Sequence, residues 1–366
     1  MSFQAALDNR TPFAADKIVL PDKDGQEAVL IVASASFGRA ADGSLELLGE
    51  QTPPRVADVF PNPDAAARSS IRYEADLALE KPLVDVLLNG DAYARGGRPA
   101  TSVPVRLSVG DIRKELLVTG DRSASDMAAP APFVSMPIVY ERAFGGTAVS
   151  GDDPPKYAVD RRNPIGIGFR GARSADAAVR SELPNIEYLR SRMSSASDTV
   201  EVAGFGAVGR GWTPRIEHAG TYDDAWLKQR WPLLPADFDA KHYQAAPADQ
   251  QSASLQGGEA VQLVNLTPDG LWEFRLPVVT VPLLLMFSDR SKRLRLRLDT
   301  VMLEPSLGRV TMTLRASIRT ARNRGALREI VVGYRSPAYI RARFTGKTFL
   351  DRIDGDGGAP GRYFQL

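Results

Sequence analysis

Few residues in this chain have the chemistry of a catalytic centre, and the best group lies just before position 225. Glu217 and His218 are adjacent, and Asp223 and Asp224 follow within six residues. A carboxylate that orients an imidazole would give a hydrolase its general base. Negative charge is also favoured in the first turn of a helix, which explains the two aspartates without catalysis. A hydrolase that uses Glu217, His218 and Asp223 is therefore an alternative, and the helix-dipole explanation is favoured over it.

The composition removes several other kinds of catalytic centre. The 366 residues include no cysteine, which excludes disulfides, thiolate nucleophiles, iron–sulfur clusters and cysteine-ligated zinc. The two histidines, His218 and His242, are too few for a site of three histidines. We expect His242 to be a surface or turn residue, because it follows the DFD turn at 237–239. We predict no catalytic residue, no metal site and no cofactor.

Two pairs of carboxylates have the residue types of a glycosidase. Asp152 with Asp153, or Glu141 with Glu187, would supply an acid and a base if they faced each other. Acidic residues are common, so coincidence is the favoured explanation for both pairs.

The glycine clusters do not have the spacing of a nucleotide-binding loop. GFG at 204–206 and GRG at 209–211 lack the strand and the intervals that a dinucleotide or phosphate loop needs. The serine-hydrolase motif G-x-S-x-G is also absent from the sequence. We interpret these glycines as residues that let loops turn tightly against their neighbours.

Arginine alternates with leucine at 293–298, in the most basic part of the chain. Residues 290–347 contain 15 basic and 3 acidic residues, a local charge of +12, whereas residues 1–289 carry −9. Arginines that share one strand face repel each other unless an acidic protein surface or a nucleic acid neutralises them. No aromatic residue alternates with these arginines, as it does in single-strand binders, so a protein surface is favoured. Nucleic-acid binding through 290–347 stays open as an alternative.

Period-two patterns and turn signals dominate the first and last thirds of the chain. Glycine and proline together make up 57 of the 366 residues, which favours many turns. An Asn-Gly pair at 89–90 predicts a tight hairpin, and the regular spacing of turns suits a sandwich or barrel. The predicted strands cover 28–37, 45–48, 70–79, 84–88, 103–109, 114–118, 261–266, 272–276, 278–286, 293–298 and 309–319.

The middle of the chain has a different character. It has no sustained period and is rich in glycine, proline and aromatic residues. One short helix is predicted, with Thr221 as its cap, Trp226, Leu227 and Trp231 as its apolar stripe, and Pro232 at its end. We therefore predict a mainly β protein of antiparallel, sandwich-like sheets with a loop-rich centre and few short helices. The predicted sections are 1–122, 123–258 and 259–366, of which the first and last can form one body.

Aromatic residues and arginines in these motifs are candidates for partner contacts. The same residue types anchor both interfaces and cores, so for any single motif scaffolding is favoured. Arg142 is predicted to pair with Glu141 or with Asp160. The candidate partner-binding residues are Tyr140, Arg142, Phe144, Phe169, Tyr222, Trp226, Arg293, Arg295 and Arg297.

The two ends of the chain and its longest apolar run indicate where the protein works. The first ten residues lack a signal pattern, and the run at 276–287 is interrupted by two prolines. That run is shorter than the roughly 20 residues of a membrane span. We expect a cytoplasmic protein with no membrane partner. The turn-rich tail after Asp354 is expected to stay mobile until Tyr363 and Phe364 dock.

Taken together and in this order, the motifs resemble the family known as domain of unknown function 2169, found beside type VI secretion genes in Gram-negative bacteria. Each piece is short, but the ordered combination is specific. The matching segments are NRTPFAA (9–15), SSIRYEAD (69–76), KPLVDV (81–86), NG (89–90), GGRP (96–99), YERAFGG (140–146), RNPIG (162–166), LPNIE (183–187), GTYD (220–223) with Trp226, and DFD (237–239) with APADQ (246–250).

The resemblance implies an adaptor or chaperone that loads effectors for type VI secretion. Such proteins bind a toxin that carries a spike-tip (PAAR-type) domain and help to seat it on the trimeric spike protein. They are not known as enzymes, so no catalytic residue is carried over. The chain departs from the family pattern at one point, because Leu314 stands where a tryptophan is expected before Arg315.

Overall fold

The computed structural model describes residues 5–149, 154–171, 182–319, 325–350 and 362–366. Most of the regular structure in these segments is β, and the prediction of a mainly β protein with few short helices is confirmed. The two α-helices in the described segments are α1 (Asp224–Gln229) and α2 (Pro337–Thr345).

The strands found in the described segments are short, apart from two in the largest sheet. In chain order they are β1 (Ala6–Asn9), β2 (Ala14–Pro21), β3 (Glu27–Arg39), β4 (Leu45–Leu47), β5 (Val84–Leu88), β6 (Asp91–Tyr93), β7 (Ser102–Val109), β8 (Ile112–Thr119), β9 (Ser135–Pro137), β10 (Phe144–Gly145), β11 (Thr147–Val149), β12 (Tyr157–Val159), β13 (Ile167–Gly168), β14 (Ile186–Tyr188), β15 (Gln251–Ser252), β16 (Ala260–Val264), β17 (Leu271–Arg275), β18 (Val278–Val279), β19 (Pro282–Phe287), β20 (Ser291–Arg295), β21 (Arg297–Glu304), β22 (Arg309–Arg319), β23 (Leu327–Val332) and β24 (Phe364–Gln365).

The largest sheet joins the first and last parts of the chain. Its order is β15–β5–β21–β22–β3–β2, with β4 beside β3. Strand β3 consists mainly of small or apolar residues and is buried on both faces between its two end residues, as expected of a central strand. It pairs antiparallel with β22 along the whole length of β22. The division into three sections stays a prediction about folding units.

Two further sheets close the main core. One has the order β14–β8–β7–β16–β17, and the other has the order β1–β23–β19–β20. Their alternating apolar residues meet those of the largest sheet, as in a sandwich. Side chains from all three sheets fill this core, for example Ile31, Leu107, Trp272, Leu285 and Val332.

The Asn-Gly hairpin predicted at 89–90 is wrong. Strand β5 lies beside β21 in a parallel pair, whereas β6 pairs with β9 in another sheet. The chain therefore crosses between sheets at this point, and the Asn89 side chain donates to the carbonyl of Arg72 at 2.6 Å. The strand predicted at 70–79 is also wrong, because its polar groups bind distant segments: Ser70 binds Glu141, and Glu74 binds Arg215.

Two predicted strands are each divided between sheets. The arginine–leucine run breaks at Leu296, which is buried and donates its N–H to the carbonyl of Val281 at 3.0 Å. Residues before it form β20, and residues after it form β21 in the largest sheet. The run predicted at 278–286 breaks at Thr280, whose N–H donates to the carbonyl of Tyr363 at 2.8 Å.

Buried amide side chains hold the loop-rich centre in place. Asn163 donates to the carbonyls of Tyr140 at 2.8 Å and Phe144 at 3.1 Å. Gln250 donates in the same way to a carbonyl of β5 and to one in the GFG motif. Asn185 does so for the end of β8. These loops lack ladder partners, so buried side chains satisfy backbone groups that would otherwise be unpaired.

Helix α1 is capped by a different residue from the one predicted. The carboxylate of Asp223 accepts the N–H of Trp226 at 2.8 Å, whereas Thr221 binds Asp237. Aspartate is among the strongest N-cap residues, so Asp223 can take the capping position that was predicted for Thr221.

The end of the chain docks on the body of the protein itself. Tyr363 is buried in the main core, and β24 pairs with β18. The ring of Phe364 lies 5.5 Å from that of Phe37 and 6.2 Å from that of Phe13. Tyr363 and Phe364 therefore dock on this same chain, a point that the sequence left open.

Candidate functional site

One cavity lies where several of the family motifs meet. It has a volume of about 660 Å³. Four carboxylates and two guanidinium groups line it, so its walls are acidic overall. The lining residues are Asp121, Arg122, Ser123, Asp126, Ala129, Ala131, Glu141, Arg142, Ile167, Glu182, Leu183 and Asn185.

Arg142 in this cavity has partners other than those predicted. Its Nη1 donates to Asp121 at 2.9 Å and to Asn185 at 3.2 Å. Glu141 instead accepts from Ser70, and Asp160 binds Arg162. The predicted ion pair of Arg142 with Glu141 or Asp160 is therefore wrong, because each carboxylate already has a nearer donor.

Two of the predicted partner-binding aromatics belong to the interior. Tyr140 is 4% exposed and packs edge-on against Trp212, and its hydroxyl donates to the carbonyl of Gly206 at 3.1 Å. Phe144 is 1% exposed and lies in a small core under the guanidinium of Arg162. Phe169 packs half-buried on the same core. The burial of Tyr140 and Phe144 corrects the prediction, because a partner that binds the folded surface cannot reach them.

The predicted hydrolase cluster is divided among different partners. His218 lies with its Nδ1 3.6 Å from Asp239, and Glu217 points to solvent. Asp223 is used as the helix cap, since it accepts the N–H of Trp226. Asp223 therefore serves α1 as its N-cap, and hydrolysis stays an untested alternative.

The remaining acid–base candidates also have structural partners. His242 is half-buried, and burial lowers the pKa of its imidazole. Its Nδ1 lies 3.1 Å from the carbonyl of Arg215. Glu187 is buried against Arg122 rather than beside Glu141. Asp152 and its neighbour at 153 lie outside the described residues.

A group of large apolar side chains is exposed on and beside α1. Tyr222 is 54% exposed, Leu227 57% and Trp231 65%. Trp226 packs edge-on against Tyr222 at 4.7 Å and donates its indole N–H to the carbonyl of Leu233. We call Tyr222, Trp226, Leu227 and Trp231 the aromatic surface. Leu227 and Trp231 were predicted as part of an apolar stripe, and the sequence could not show that their side chains are exposed.

The loop that carries the aromatic surface is anchored at both ends. Thr221 donates its hydroxyl to Asp237 at 2.7 Å, which closes the base of the loop. Arg230 donates to the carbonyl of Lys23, at the turn between β2 and β3. The exposed side chains are therefore presented from a fixed position.

The predicted arginine ladder faces solvent. Arg293, Arg295 and Arg297 are exposed, and within the described residues their guanidinium groups have no ion-pair partner. Arg315 is instead buried and binds Asp299. Arg293 and Arg295 border a groove of about 410 Å³. The groove is lined by Pro282, Leu283, Leu284, Arg293, Leu294, Arg295, Gly333, Tyr334 and Arg335.

A buried lysine was missed by the sequence analysis. Lys114 donates to Asp249 and Gln250, both at 2.9 Å. Tyr188 donates to the same aspartate at 2.8 Å, and burial raises the pKa of its hydroxyl. Burial also lowers the pKa of Lys114 to about 8, against the opposing effect of Asp249. Lys114 occupies the same face of β8 as Ile112 and Leu116, two positions away on either side, so the strand pattern alone could have indicated its burial.

Neither a metal-binding cluster nor a membrane-spanning helix occurs among the described residues. No group of three or more His, Asp or Glu side chains there is arranged to hold a metal ion. In the same segments, no helix combines the length and the apolar character needed to cross a bilayer.

The fold and these surfaces define a mainly β protein with a loop-rich centre and an exposed aromatic surface. Residues 24–315 match the family described as "Uncharacterized protein conserved in bacteria (DUF2169)", which is most of the chain. The chain therefore belongs to this family, and the resemblance seen in the motifs is confirmed. Comparisons with curated proteins and with solved structures gave no match.

Proposed function

We propose that this protein is an adaptor of type VI secretion that binds a toxin with a PAAR-type domain and helps to seat it on the trimeric spike protein. The proposal rests on the ordered motifs for the secretion role. Membership of the DUF2169 family supports that resemblance over residues 24–315.

The aromatic surface is the single observation that carries the binding role. Clustered apolar side chains on a protein surface are typical of interaction sites, and tryptophan is enriched among residues that dominate binding energy. Leu227 lies in α1, none of whose residues is buried, and Trp231 follows that helix, so the apolar area of both side chains is open to a partner. A client that covers them would remove this apolar area from water.

The exposed arginines of β20 and β21 are a second feature that supports binding of a client protein. Arg295 and Arg297 are not internal struts, since within the described residues they have no ion pair to lose. They are therefore available to an acidic patch on a client. Such pairs contribute mainly to specificity and to the rate of association.

Co-purification from the native cells, with and without crosslinking, tests the proposal. We expect the protein to recover a toxin or the spike protein. The double variant Leu227→Ser/Trp231→Ser should reduce that recovery without lowering the melting temperature. Tyr157→Ser is a matched control, because Tyr157 is an exposed aromatic residue on strand β12 and not part of the aromatic surface.

Two results would count against the proposal. One is the absence of any spike or toxin component in both preparations. The other is undiminished recovery by the double variant, which would remove the aromatic surface from the binding role. Charge reversal by Arg295→Glu/Arg297→Glu should weaken recovery and leave the folded state intact.

A further inference from the structure

Strand β20 leaves one side of its sheet open. It is the terminal strand in the order β1–β23–β19–β20, and within the described residues it pairs only with β19. A terminal strand presents unpaired N–H and C=O groups that can accept another strand. The exposed side chains on β20 are Ser291, Lys292, Arg293 and Arg295.

The hydrogen bonds between β19 and β20 determine which backbone groups face the open edge. The N–H of Phe287 donates to the carbonyl of Arg290 at 2.8 Å, and that of Leu296 donates to Val281 at 3.0 Å. In an antiparallel pair, every second residue directs its N–H and C=O away from the neighbouring strand. Positions 290 and 296 bond inward, so the odd-numbered positions face outward. These outward-facing residues are Ser291, Arg293 and Arg295.

A proline on β19 agrees with this register. Pro282 lies opposite Arg295 and has no N–H to donate. Its carbonyl accepts the N–H of Gly333 on the other side, at 2.8 Å. The backbone of Arg295 is therefore left without a partner from β19, as the alternation requires.

The side chains of the same two arginines border the groove described above. Arg293 lies opposite Leu284 and Arg295 opposite Pro282, so all four share the outer face of the sheet. Leu284 is buried in the floor of the groove, and Tyr334 is exposed at its wall. Cationic groups, an apolar floor and an open backbone edge therefore occur together.

We propose that the open edge of β20 receives an extended acidic segment of a partner protein as an added strand. Residues that face each other across paired strands share one side of the sheet, so alternate carboxylates would meet Arg293 and Arg295. The residue between them would face Leu294, which packs half-buried on the main core. The segment is therefore expected to read acidic, apolar, acidic. This inference rests on the proposed binding function and names the kind of segment that a client would offer.

Two copies of this chain are a poorer occupant of the edge. Antiparallel pairing of β20 with itself would place arginine opposite arginine, and like charges at such positions are destabilising. Charged residues on an edge strand can also have the sole role of preventing the strand from pairing with other chains. The experiment must therefore distinguish binding of a partner strand from protection of the open edge.

Fluorescence anisotropy with the full-length protein and a short synthetic peptide tests the inference. The probe alternates glutamate with valine, and its comparison peptide has the same composition with all glutamates in one block. We expect the alternating peptide to bind about tenfold more tightly at about 50 mM salt. Two further peptides are N-methylated, each on one of the two alternating sets of amides. Methylation of the set whose N–H groups pair with β20 should abolish binding, and methylation of the other set should leave binding unchanged.

Variants locate the site on β20. Arg293→Glu/Arg295→Glu should weaken binding of the alternating peptide about tenfold or more. Arg328→Glu is the matched control, because Arg328 is an exposed arginine of the same sheet on β23 and lies away from the groove lining. Its affinity for the peptide should stay within about twofold of the wild type.

Several results would overturn the inference. They are the absence of peptide binding, equal binding of the block peptide or of a single-stranded oligonucleotide, and equal effects of the two N-methylated peptides. Each of these leaves two results unaffected: recovery of the client by the wild type, and its loss in Leu227→Ser/Trp231→Ser. Both depend on the aromatic surface and the native client. Conversely, a failed co-purification would leave binding of this peptide to the purified protein measurable.

Discussion

Two arginines in the same pair of strands differ completely in environment. Arg297 and Arg315 are register partners in β21 and β22, yet Arg297 is exposed and Arg315 is buried. Arg315 binds the carboxylate of Asp299 and the carbonyl of Ala78. The sequence pattern does not distinguish the two, because an alternating polar position carries no sign of what covers it.

Arg315→Gln should lower the free energy of unfolding by roughly 3–5 kcal/mol, because it leaves Asp299 buried without its cation. Arg297→Gln should change that free energy by no more than about 0.5 kcal/mol. Urea unfolding of the two variants measures the difference. A loss below about 1 kcal/mol for Arg315→Gln would show that Asp299 finds another donor.

Lys114 should make stability depend on pH. Its pKa is about 8 in the folded protein and near the ordinary 10.5 in the unfolded chain. Between these values the unfolded chain holds more protons, so the free energy of unfolding rises with pH. The expected rise is about 1–2 kcal/mol between pH 8 and 9.5. Above about pH 10 the buried tyrosines act in the opposite direction, because their pKa values are raised.

The variant Lys114→Met isolates this contribution. Urea unfolding at several pH values between 7.5 and 9.5 should show the rise in the wild type and its loss in the variant. Lys241→Met serves as the control, since Lys241 is exposed. An identical slope in the wild type and Lys114→Met would refute the assignment to Lys114.

At the scale of elements, α1 is too short to be stable without its cap. It has six residues, none of them buried, so neither length nor packing supports it. The bond from the Trp226 N–H to Asp223 therefore matters for the geometry of the aromatic surface. The sequence predicted the helix but not its cap, because Thr221 and Asp223 are both good capping residues.

Asp223→Ala should loosen α1 by about 1 kcal/mol and leave the melting temperature of the protein nearly unchanged. Hydrogen exchange should show faster exchange of the amides of Trp226 and Leu227. Asp224→Ala keeps the cap and is the control. Unchanged exchange in Asp223→Ala would mean that the anchors of the loop, rather than the cap, hold the helix.

Periodicity predicted strands well and sheets poorly. The runs at 28–37, 103–109 and 309–319 form β3, β7 and β22 as expected. The runs at 278–286 and 293–298 each divide between two sheets, because alternation continues unbroken when a strand leaves one sheet and enters the next. Sheet membership is decided by distant partners, such as the carbonyl of Tyr363 at Thr280, and these leave no local pattern.

The candidate site was predictable in residue type and only partly in place. The exposed arginines at 293, 295 and 297 follow from strand alternation. Tyr140 and Phe144 were indistinguishable from surface aromatics, because motif aromatics serve cores and interfaces alike. The open edge of β20 required the sheet order, which no local pattern contains.

At the scale of the whole molecule, the chain closes on itself through its last residues. Tyr363 packs edge-on against Phe13 and accepts the N–H of Tyr334 at 3.2 Å. Phe364 lies against Phe37 of the central strand β3. The last residues thus bridge the N-terminal region, the largest sheet and the wall of the basic groove.

Deletion of residues 362–366 should therefore destabilise the whole protein. The loss of two packed aromatic side chains is expected to lower the free energy of unfolding by roughly 3–5 kcal/mol. Deletion of Leu366 alone is the control, because that side chain is 65% exposed and should have little effect. Thermal unfolding compares the three proteins. If the five-residue deletion melted like the wild type, Tyr363 and Phe364 would be an attached strand rather than part of the cooperative core. The aromatic surface lies in the central section, so client recovery at a temperature where the truncated protein stays folded should be retained.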